Sequence, residues 1–167
     1  MAMLVPVTAY VALGANLGDP VATVRMAIAA LREIAGAKLI AASSLYRTAP
    51  VGLRDQPDFI NAVAALEVDG AVLPAPTFLA RLFDIEAAFG RVRSIKNAPR
   101  TLDLDLLLFG EEHYDTPGLT LPHPRLTERA FVLAPLVEIA PELAIPGEGR
   151  LFDLLGKISR QRIERLP

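Results

Sequence analysis

Val7-Thr8-Ala9-Tyr10-Val11-Ala12-Leu13 is the first short apolar run of the chain, and Gly14 closes it. A run of this length, bounded by a turn residue, is typical of a buried central strand. Asp19-Pro20 then predicts a helix start, with aspartate as the N-cap and proline at the first helical position. Apolar residues follow at steps of three and four, and Gly36 predicts the helix end. They are Val21, Val24, Ile28, Leu31 and Ile34.

The later segments continue the pattern of this first strand and helix. Strands are predicted over Lys38–Tyr46, Phe59–Val68 and Asp103–Phe109, and an amphipathic helix over Pro74–Phe89. The order β-α-β-β-α-β predicts an α+β, ferredoxin-like core, in which two helices cover one face of an antiparallel sheet.

Additions to this core are expected at the C-terminal end. Short helices broken at Pro135 are expected over Arg125–Ala140, and a helical tail over Leu151–Leu166. The basic residues of this tail are interpreted as a solvated helix face rather than an RNA contact.

Composition limits the function classes. The chain has 167 residues, 52% of them hydrophobic, a net charge of −2 and no cysteine. We expect residues 1–167 to form one domain that acts on small-molecule substrates and works as a monomer. The charge gives no basic field for nucleic acid, and no apolar run reaches the ~18 residues of a membrane helix. The absence of cysteine suits a reducing cytoplasm, where we expect the protein.

The segment Arg91–Asp105 contains the most informative chemistry. Four cations precede two carboxylates: Arg91, Arg93, Lys96 and Arg100, then Asp103 and Asp105. Magnesium takes one or two carboxylates and completes its octahedron with phosphate oxygens and water, while arginines grip the same phosphates. The segment therefore predicts a site for magnesium and a nucleoside triphosphate.

Spacing supports this interpretation. Residues two apart on a strand point to the same face, so Asp103 and Asp105 can share cations. An Asp-x-Asp alone is more often part of a solvated edge strand, and the adjoining cations favour the metal site. The segment from Gly14 to Gly18 lacks the lysine and Ser/Thr of a phosphate-binding loop, so it is interpreted as a turn.

Two further polar residues stand out. His123 lies between Pro122 and Pro124, which suits a residue that holds a ligand oxygen, although a structural turn histidine is nearly as common. Asn61 lies in an apolar strand, and its amide, which both donates and accepts, matches the edge of a heterocyclic ligand as well as it matches a buried structural role.

Several motifs together resemble the 6-hydroxymethyl-7,8-dihydropterin pyrophosphokinase family. The motifs are Gly14-x-Asn16-Leu17-Gly18, Tyr46-Arg47-Thr48-Ala49-Pro50, Asp55-Gln56-Pro57-Asp58-Phe59-Ile60-Asn61, Gly90-Arg91-Val92-Arg93, Pro99-Arg100-Thr101-Leu102-Asp103-Leu104-Asp105 and Pro122-His123-Pro124-Arg125 with Arg129-Ala130-Phe131. They span nearly the whole chain in the family's order. Where many members carry Trp-Gly, this chain has Asn97-Ala98.

The resemblance implies a role for each matching residue. Asp103 and Asp105 would hold two magnesium ions, and Arg91 and Arg100 would assist transfer. The ATP site would contain Glu86, Arg93, Lys96, Leu106, Thr120, His123 and Arg129. The pterin pocket would contain Thr48, Pro50, Val51, Phe59, Asn61 and Phe131, with the two phenylalanines on either side of the ring.

The implied reaction is attack of the pterin hydroxymethyl oxygen on the β-phosphorus of ATP, with release of AMP, in folate biosynthesis. Two other classes remain open from the residues alone. A ferredoxin-like binding module would explain the fold but not an aspartate pair beside arginines. A magnesium-dependent nuclease or nucleotidyltransferase would share the metal pair and differ in its products.

Overall fold

A computed structural model of the chain describes residues 6–50, 55–90, 101–158 and 160–167. The strands are β1 (Pro6–Ala15), β2 (Ala37–Ala42), β3 (Tyr46–Thr48), β4 (Phe59–Asp69), β5 (Asp103–Phe109), β6 (Tyr114–Thr116), β7 (Leu119–Leu121), β8 (Ala144–Ile145), β9 (Gly149–Arg150) and β10 (Ile163–Arg165). The helices are α1 (Pro20–Leu31), α2 (Ala75–Ala88), α3 (Ala130–Ile139) and α4 (Leu151–Lys157), with a 3-10 turn at Leu126–Glu128.

The main sheet is antiparallel and has β1 and β4 at its centre. Its order is β10-β3-β4-β1-β5, and β2 pairs with the same edge of β4 as β3 does, further along the strand. The predicted α+β fold with an antiparallel sheet is confirmed. Strands β6 and β7 form one separate hairpin, and β8 and β9 form another.

Alternation along the strands separates two apolar cores. On one face, α1 and α2 cover buried side chains such as Val11 and Leu13 of β1 and Leu66 of β4. On the other face, α3 and α4 pack over a smaller core that contains Val63 of β4 and Leu107 of β5. The predicted pair of helices on one face is present, and the C-terminal additions cover part of the opposite face.

A β-bulge interrupts the alternation of β5. Tyr10 pairs with Leu108 but Val11 pairs with Leu106, so Leu107 is the extra residue. Leu107 and Leu108 both join the core beneath α3, and Phe109 joins the core beneath α1 and α2. One extra residue on one strand shifts every later side chain to the other face.

The first helix starts as the sequence predicts. The Asp19 carboxylate accepts a hydrogen bond from the Ala22 backbone N–H at 3.1 Å, which satisfies one of the free donors of the first turn. The helix ends at Leu31, before Ile34, and Gly36 has a φ of +87°, a conformation that favours glycine. No helix among the described residues is long and apolar enough to cross a lipid bilayer.

The predicted strand Lys38–Tyr46 is wrong in its extent, because the chain leaves the ladder at Ser43. The Ser43 backbone N–H donates to the Val63 carbonyl, and the Val63 N–H donates to the Ser43 hydroxyl, both at 2.9 Å. The hydroxyl therefore replaces a backbone acceptor, and the chain resumes pairing only at β3.

Two predictions for the C-terminal part are also wrong. The tail Leu151–Leu166 is helical only as far as Lys157, and β10 then pairs with β3, which otherwise would expose an unpaired edge. Helix α3 runs unbroken through Pro135. Burial of apolar residues of α3 against the sheet offsets the backbone hydrogen bond that this proline cannot make.

Candidate active site

A cavity of about 510 Å³ opens on the sheet face that α3 partly covers. Its walls come from β1, β3, β4, β5, the start of α3 and the C-terminal segment. Eight of the predicted site residues line it: Thr48, Pro50, Phe59, Asn61, Asp103, Asp105, Arg129 and Phe131. The sheet therefore brings together residues that are more than 80 positions apart in the sequence.

The cavity floor is a row of paired strand positions. Gly14 of β1 pairs with Asn61 on one side and with Asp103 on the other, and Ala12 pairs with Asp105. A side chain at Gly14 would place its Cβ 3.1 Å from Asn61 Oδ1. The small residues of β1 thus leave space between the amide and the two carboxylates, which requires residues without bulk at these positions.

The two aspartates lie on the same face of β5. Both are partly buried, while Leu104 between them is buried in the core beneath α1 and α2. Two adjacent carboxylates that face one cavity repel each other unless a cation lies near them, and their oxygens are the ligands that magnesium prefers. Within the described residues, no three His, Cys, Asp or Glu side chains form a metal-binding cluster.

Asn61 is held in one orientation. Its Nδ2 donates to Thr48 Oγ1 at 2.8 Å, and both side chains are buried. In this hydrogen bond the amide nitrogen is the donor and the hydroxyl oxygen is the acceptor, and Asn61 Oδ1 lies on the side of Gly14. Phe59, at the start of β4, and Phe131, at the start of α3, reach the cavity from different elements.

The start of α3 supplies a cation to the cavity. The Arg129 guanidinium carbon lies 5.5 Å from the centre of the Phe131 ring. A guanidinium over an aromatic face directs its N–H donors outward in its own plane, so it can hold an anion and a ring together. Arg125 also lines the cavity.

His123 lies outside the cavity lining but close to it. Its backbone N–H donates to the Leu107 carbonyl at 2.9 Å, and its Nδ1 accepts from the Arg125 N–H at 3.1 Å. Burial lowers the pKa of His123 to about 4; Arg129 and Arg125 also lower it, and Asp103 opposes them. The ring is therefore neutral near pH 7, with its proton assigned to Nε2 by the Nδ1 hydrogen bond.

Three other predicted ATP-site residues lie outside the cavity lining. The Glu86 carboxylate is buried and accepts from the Leu104 N–H at 2.7 Å, so it braces β5 between the aspartates. Leu106 lies in the core beneath α1 and α2, and Thr120 is exposed on β7. Their roles toward ATP stay predictions. Arg91, Arg93, Lys96, Arg100 and Val51 lie outside the described residues.

Sequence reasoning missed several cavity residues. Gln161, Arg162 and Ile163 line it, as do Glu128 and the small residues of β1. The C-terminal residues were missed because a helical tail was expected there. One signal in the sequence pointed against a helix here. Ile163, Arg165 and the polar residues before them do not show apolar side chains recurring at steps of three and four.

Known proteins resemble this chain along most of its length. Residues 10–141 match the model of the 7,8-dihydro-6-hydroxymethylpterin-pyrophosphokinase family, HPPK. The 2-amino-4-hydroxy-6-hydroxymethyldihydropteridine pyrophosphokinase of Pseudomonas aeruginosa is 46% identical over 158 residues, 95% of this chain and 96% of its own. The protein of the same description from Haemophilus influenzae is 39% identical over 160 residues, 96% of this chain and 98% of its own.

Solved structures give the same fold at lower identity. The HPPK-DHPS protein of Plasmodium falciparum superposes with a TM-score of 0.71 and 15% identity. The match covers 93% of this chain and 46% of that one, so the chain spans less than half of that longer protein. On the family match and the two bacterial relatives, the chain belongs to the 7,8-dihydro-6-hydroxymethylpterin pyrophosphokinase family.

Proposed function

We propose that this chain transfers a pyrophosphoryl group from ATP to 6-hydroxymethyl-7,8-dihydropterin, in folate biosynthesis, with magnesium held at Asp103 and Asp105. The observation that carries the proposal is the cavity floor, where both carboxylates share a face with the oriented amide of Asn61. One wall can therefore hold a heterocycle while the neighbouring strand holds cations beside a polyphosphate. Membership of the family supports this choice of substrates.

The residues fit two magnesium ions as the metal. Asp103 and Asp105 offer oxygen ligands only, and magnesium commonly combines one or two carboxylates with phosphate oxygens and water. When bound, the metal would neutralise phosphate charge and orient the triphosphate. Nearby, His123 is neutral and adds no positive charge, so the cations of the described site are its arginines.

The chain's own residues position the reactants. Asn61, fixed by Thr48, would hold the pterin edge, and Phe59 and Phe131 would contact the ring faces. Arg129 would hold a phosphate at the boundary with Phe131. Arg91, Arg93, Lys96 and Arg100 are proposed to contribute further cations, and Val51 to complete the pterin pocket; these five residues lie outside the described ranges.

The reaction proposed is an in-line displacement. The hydroxymethyl oxygen forms a bond to the β-phosphorus, the bond from that phosphorus to the α–β bridging oxygen breaks, and AMP leaves with that electron pair. The hydroxyl proton passes to solvent. Acceleration then comes mainly from positioning and from stabilising charge on the phosphate oxygens.

We also infer that the chain works as a single-domain monomer in the cytoplasm. Support for the monomer is that one chain supplies every wall of the cavity described above. Support for the compartment is the absence of cysteine, which suits a reducing environment.

Product analysis tests the proposed function. The purified chain is incubated with ATP, magnesium chloride and 6-hydroxymethyl-7,8-dihydropterin, and the products are followed by phosphorus NMR. We expect AMP and pterin diphosphate in equal amounts, no AMP from a 6-methyl pterin that lacks the hydroxyl, and no turnover in excess EDTA until magnesium is restored. Formation of ADP would contradict β-phosphorus attack, and turnover in EDTA would contradict the metal assignment.

A further inference from the structure

The C-terminal segment is fixed against the wall of the cavity. Strand β10 pairs with β3 so that Ile163 lies opposite Thr48, and the Leu166 N–H donates to the Leu45 carbonyl at 2.8 Å. Arg165 Nε donates to Ser44 Oγ at 3.0 Å, and its guanidinium lies 3.6 Å from the Glu138 carboxylate. These contacts hold the backbone of the segment beside the strand that carries Thr48.

Gln161 attaches the same segment to the start of α3. Its Oε1 accepts from the Ala130 N–H at 2.9 Å, and its Nε2 donates to the Glu128 carbonyl at 2.8 Å. The side chain therefore bonds on both sides of Arg129, which lines the cavity. Residues 161–163 bridge the two cavity walls that carry Thr48 and Arg129.

Arg162 lies at the centre of this bridge. It lines the cavity, and the side chain is exposed, so it stands at the mouth. Two other arginines of the region have acidic partners, Arg47 with Glu164 and Arg165 with Glu138, each at 3.6 Å. In the ranges that the structure describes, Arg162 has no such ion pair. Its guanidinium is thus available to an anion that enters between Thr48 and Arg129.

We propose that Arg162 binds the diphosphate oxygens of the pyrophosphorylated pterin. The proposal rests on the proposed function, because only that reaction places a diphosphate next to a pterin in this cavity. A guanidinium holds phosphate oxygens through two parallel N–H donors, whereas the uncharged pterin alcohol offers it no anion. Arg162 therefore distinguishes the product from the pterin substrate.

The test compares two ligands on three variants of the full chain. Arg162→Ala removes the cation, Arg162→Lys keeps the charge without the planar fork, and Arg160→Ala removes a neighbouring arginine that does not line the cavity. Calorimetry with magnesium present measures the affinity for the pterin diphosphate and for 6-hydroxymethyl pterin. For Arg162→Ala we expect about tenfold weaker binding of the diphosphate and less than about twofold change for the alcohol.

The remaining variants sharpen the result. We expect Arg162→Lys to recover part of the diphosphate affinity, and Arg160→Ala to match the unmodified chain with both ligands. Equal diphosphate affinity in Arg162→Ala and Arg160→Ala would overturn the proposal. Equal weakening of both ligands by Arg162→Ala would also overturn it, because the segment would then only shape the cavity.

The failure of this inference is distinguishable from failure of the proposed function. If the unmodified chain forms AMP and pterin diphosphate while Arg162→Ala binds the diphosphate normally, the role of Arg162 alone is wrong. If the unmodified chain forms no pterin diphosphate, both proposals fall.

Discussion

The same strands build both faces of the central sheet, but one face is filled and the other is only partly covered, which leaves the cavity open. Toward α1 and α2, β1 presents Val11 and Leu13, which pack in a continuous apolar core. Toward α3, the same strand presents Ala12 and Gly14, which leave the cavity floor uncovered. Alternate residues of one strand therefore obey different constraints, packing on one side and room for ligands on the other.

This contrast indicates that residues needed for activity and residues needed for stability alternate along the same strands, rather than lying in separate segments. A change on the filled face should lower the free energy of unfolding and leave the chemistry of the folded molecules intact. A change on the open face should do the reverse. Four predictions test this division, and each uses a matched control on the same chain.

The largest effect is expected at the aspartates of the open face. Asp103→Asn or Asp105→Asn removes a charge that the metal needs, and we expect turnover to fall on the order of 10⁴-fold, about 5.5 kcal/mol. The thermal midpoint without metal should change little, because both positions are only partly buried and asparagine keeps the shape of the side chain. Asp115→Asn, on the exposed β6, is the control. Near-normal turnover in both variants would show that the carboxylates on the cavity face are not needed for the reaction.

The next effect is expected on the filled face. Phe78 is fully buried, and its ring centre lies 5.9 Å from that of Phe109. Phe78→Ala should lower the free energy of unfolding by about 4 kcal/mol through lost burial and a residual cavity. Urea denaturation measures the loss, and turnover per folded molecule should stay within about twofold. Phe152→Ala, at a phenylalanine that is 72% exposed, should change stability little.

A smaller effect is expected at the floor itself. Gly14→Ala places a methyl group 3.1 Å from Asn61 Oδ1, so the amide must shift by a few tenths of an ångström. We expect the KM for the pterin to rise about tenfold with kcat less affected, because the misplaced amide weakens ground-state binding. Gly118→Ala, which meets no atom within 4 Å, is the control. An unchanged KM would show that the floor tolerates bulk.

The smallest effect concerns the contacts between α3 and the β2–β3 connection. Burial alone would raise the pKa of Glu138, but hydrogen bonds from Tyr46 at 2.6 Å and from Ser44 lower it below its usual value. A carboxyl group with a lowered folded-state pKa stabilises the fold above the unfolded pKa of about 4.5, and this stability is lost as the pH falls further.

Glu138→Gln should therefore cost about 1 kcal/mol near neutral pH and flatten the loss of stability below about pH 4.5. Urea midpoints measured across that range give the slope. Glu142→Gln, at an exposed carboxylate paired with Arg150, should retain the slope of the unmodified chain. If Glu138→Gln leaves the slope of stability against pH unchanged, other groups cause the loss of stability in acid.

Local patterns predicted much of the fold. The apolar run before Gly14, the Asp19-Pro20 cap and the β5 boundaries all follow from signals within a few residues, and the structure has them. The placement of Asp103 and Asp105 on one face follows from alternation alone. These features depend on local spacing and capping, which the sequence displays directly.

Other features depend on partners distant in the chain. The break at Ser43 needs the backbone of Val63, and β10 needs the free edge of β3, so neither has a local signal. The unbroken α3 depends on packing that outweighs Pro135. The cavity role of residues 161–163 could not be predicted for the same reason, because it exists only after the C-terminal segment crosses to the opposite wall.

The bulge at Leu107 allows the seven residues of β5 to serve both the cavity on one face and the core beneath α1 and α2 on the other. By strict parity, positions 103, 105, 107 and 109 would all point toward α3, and Phe109 would crowd the side that bears the carboxylates. The extra residue Leu107 shifts the alternation by one position, so the Phe109 side chain lies on the opposite face of the sheet and meets Phe78. Deleting Leu107 would leave an unbroken alternation in which Leu108 still faces α3 and Phe109 still meets Phe78, so the loss would fall on the core beneath α3.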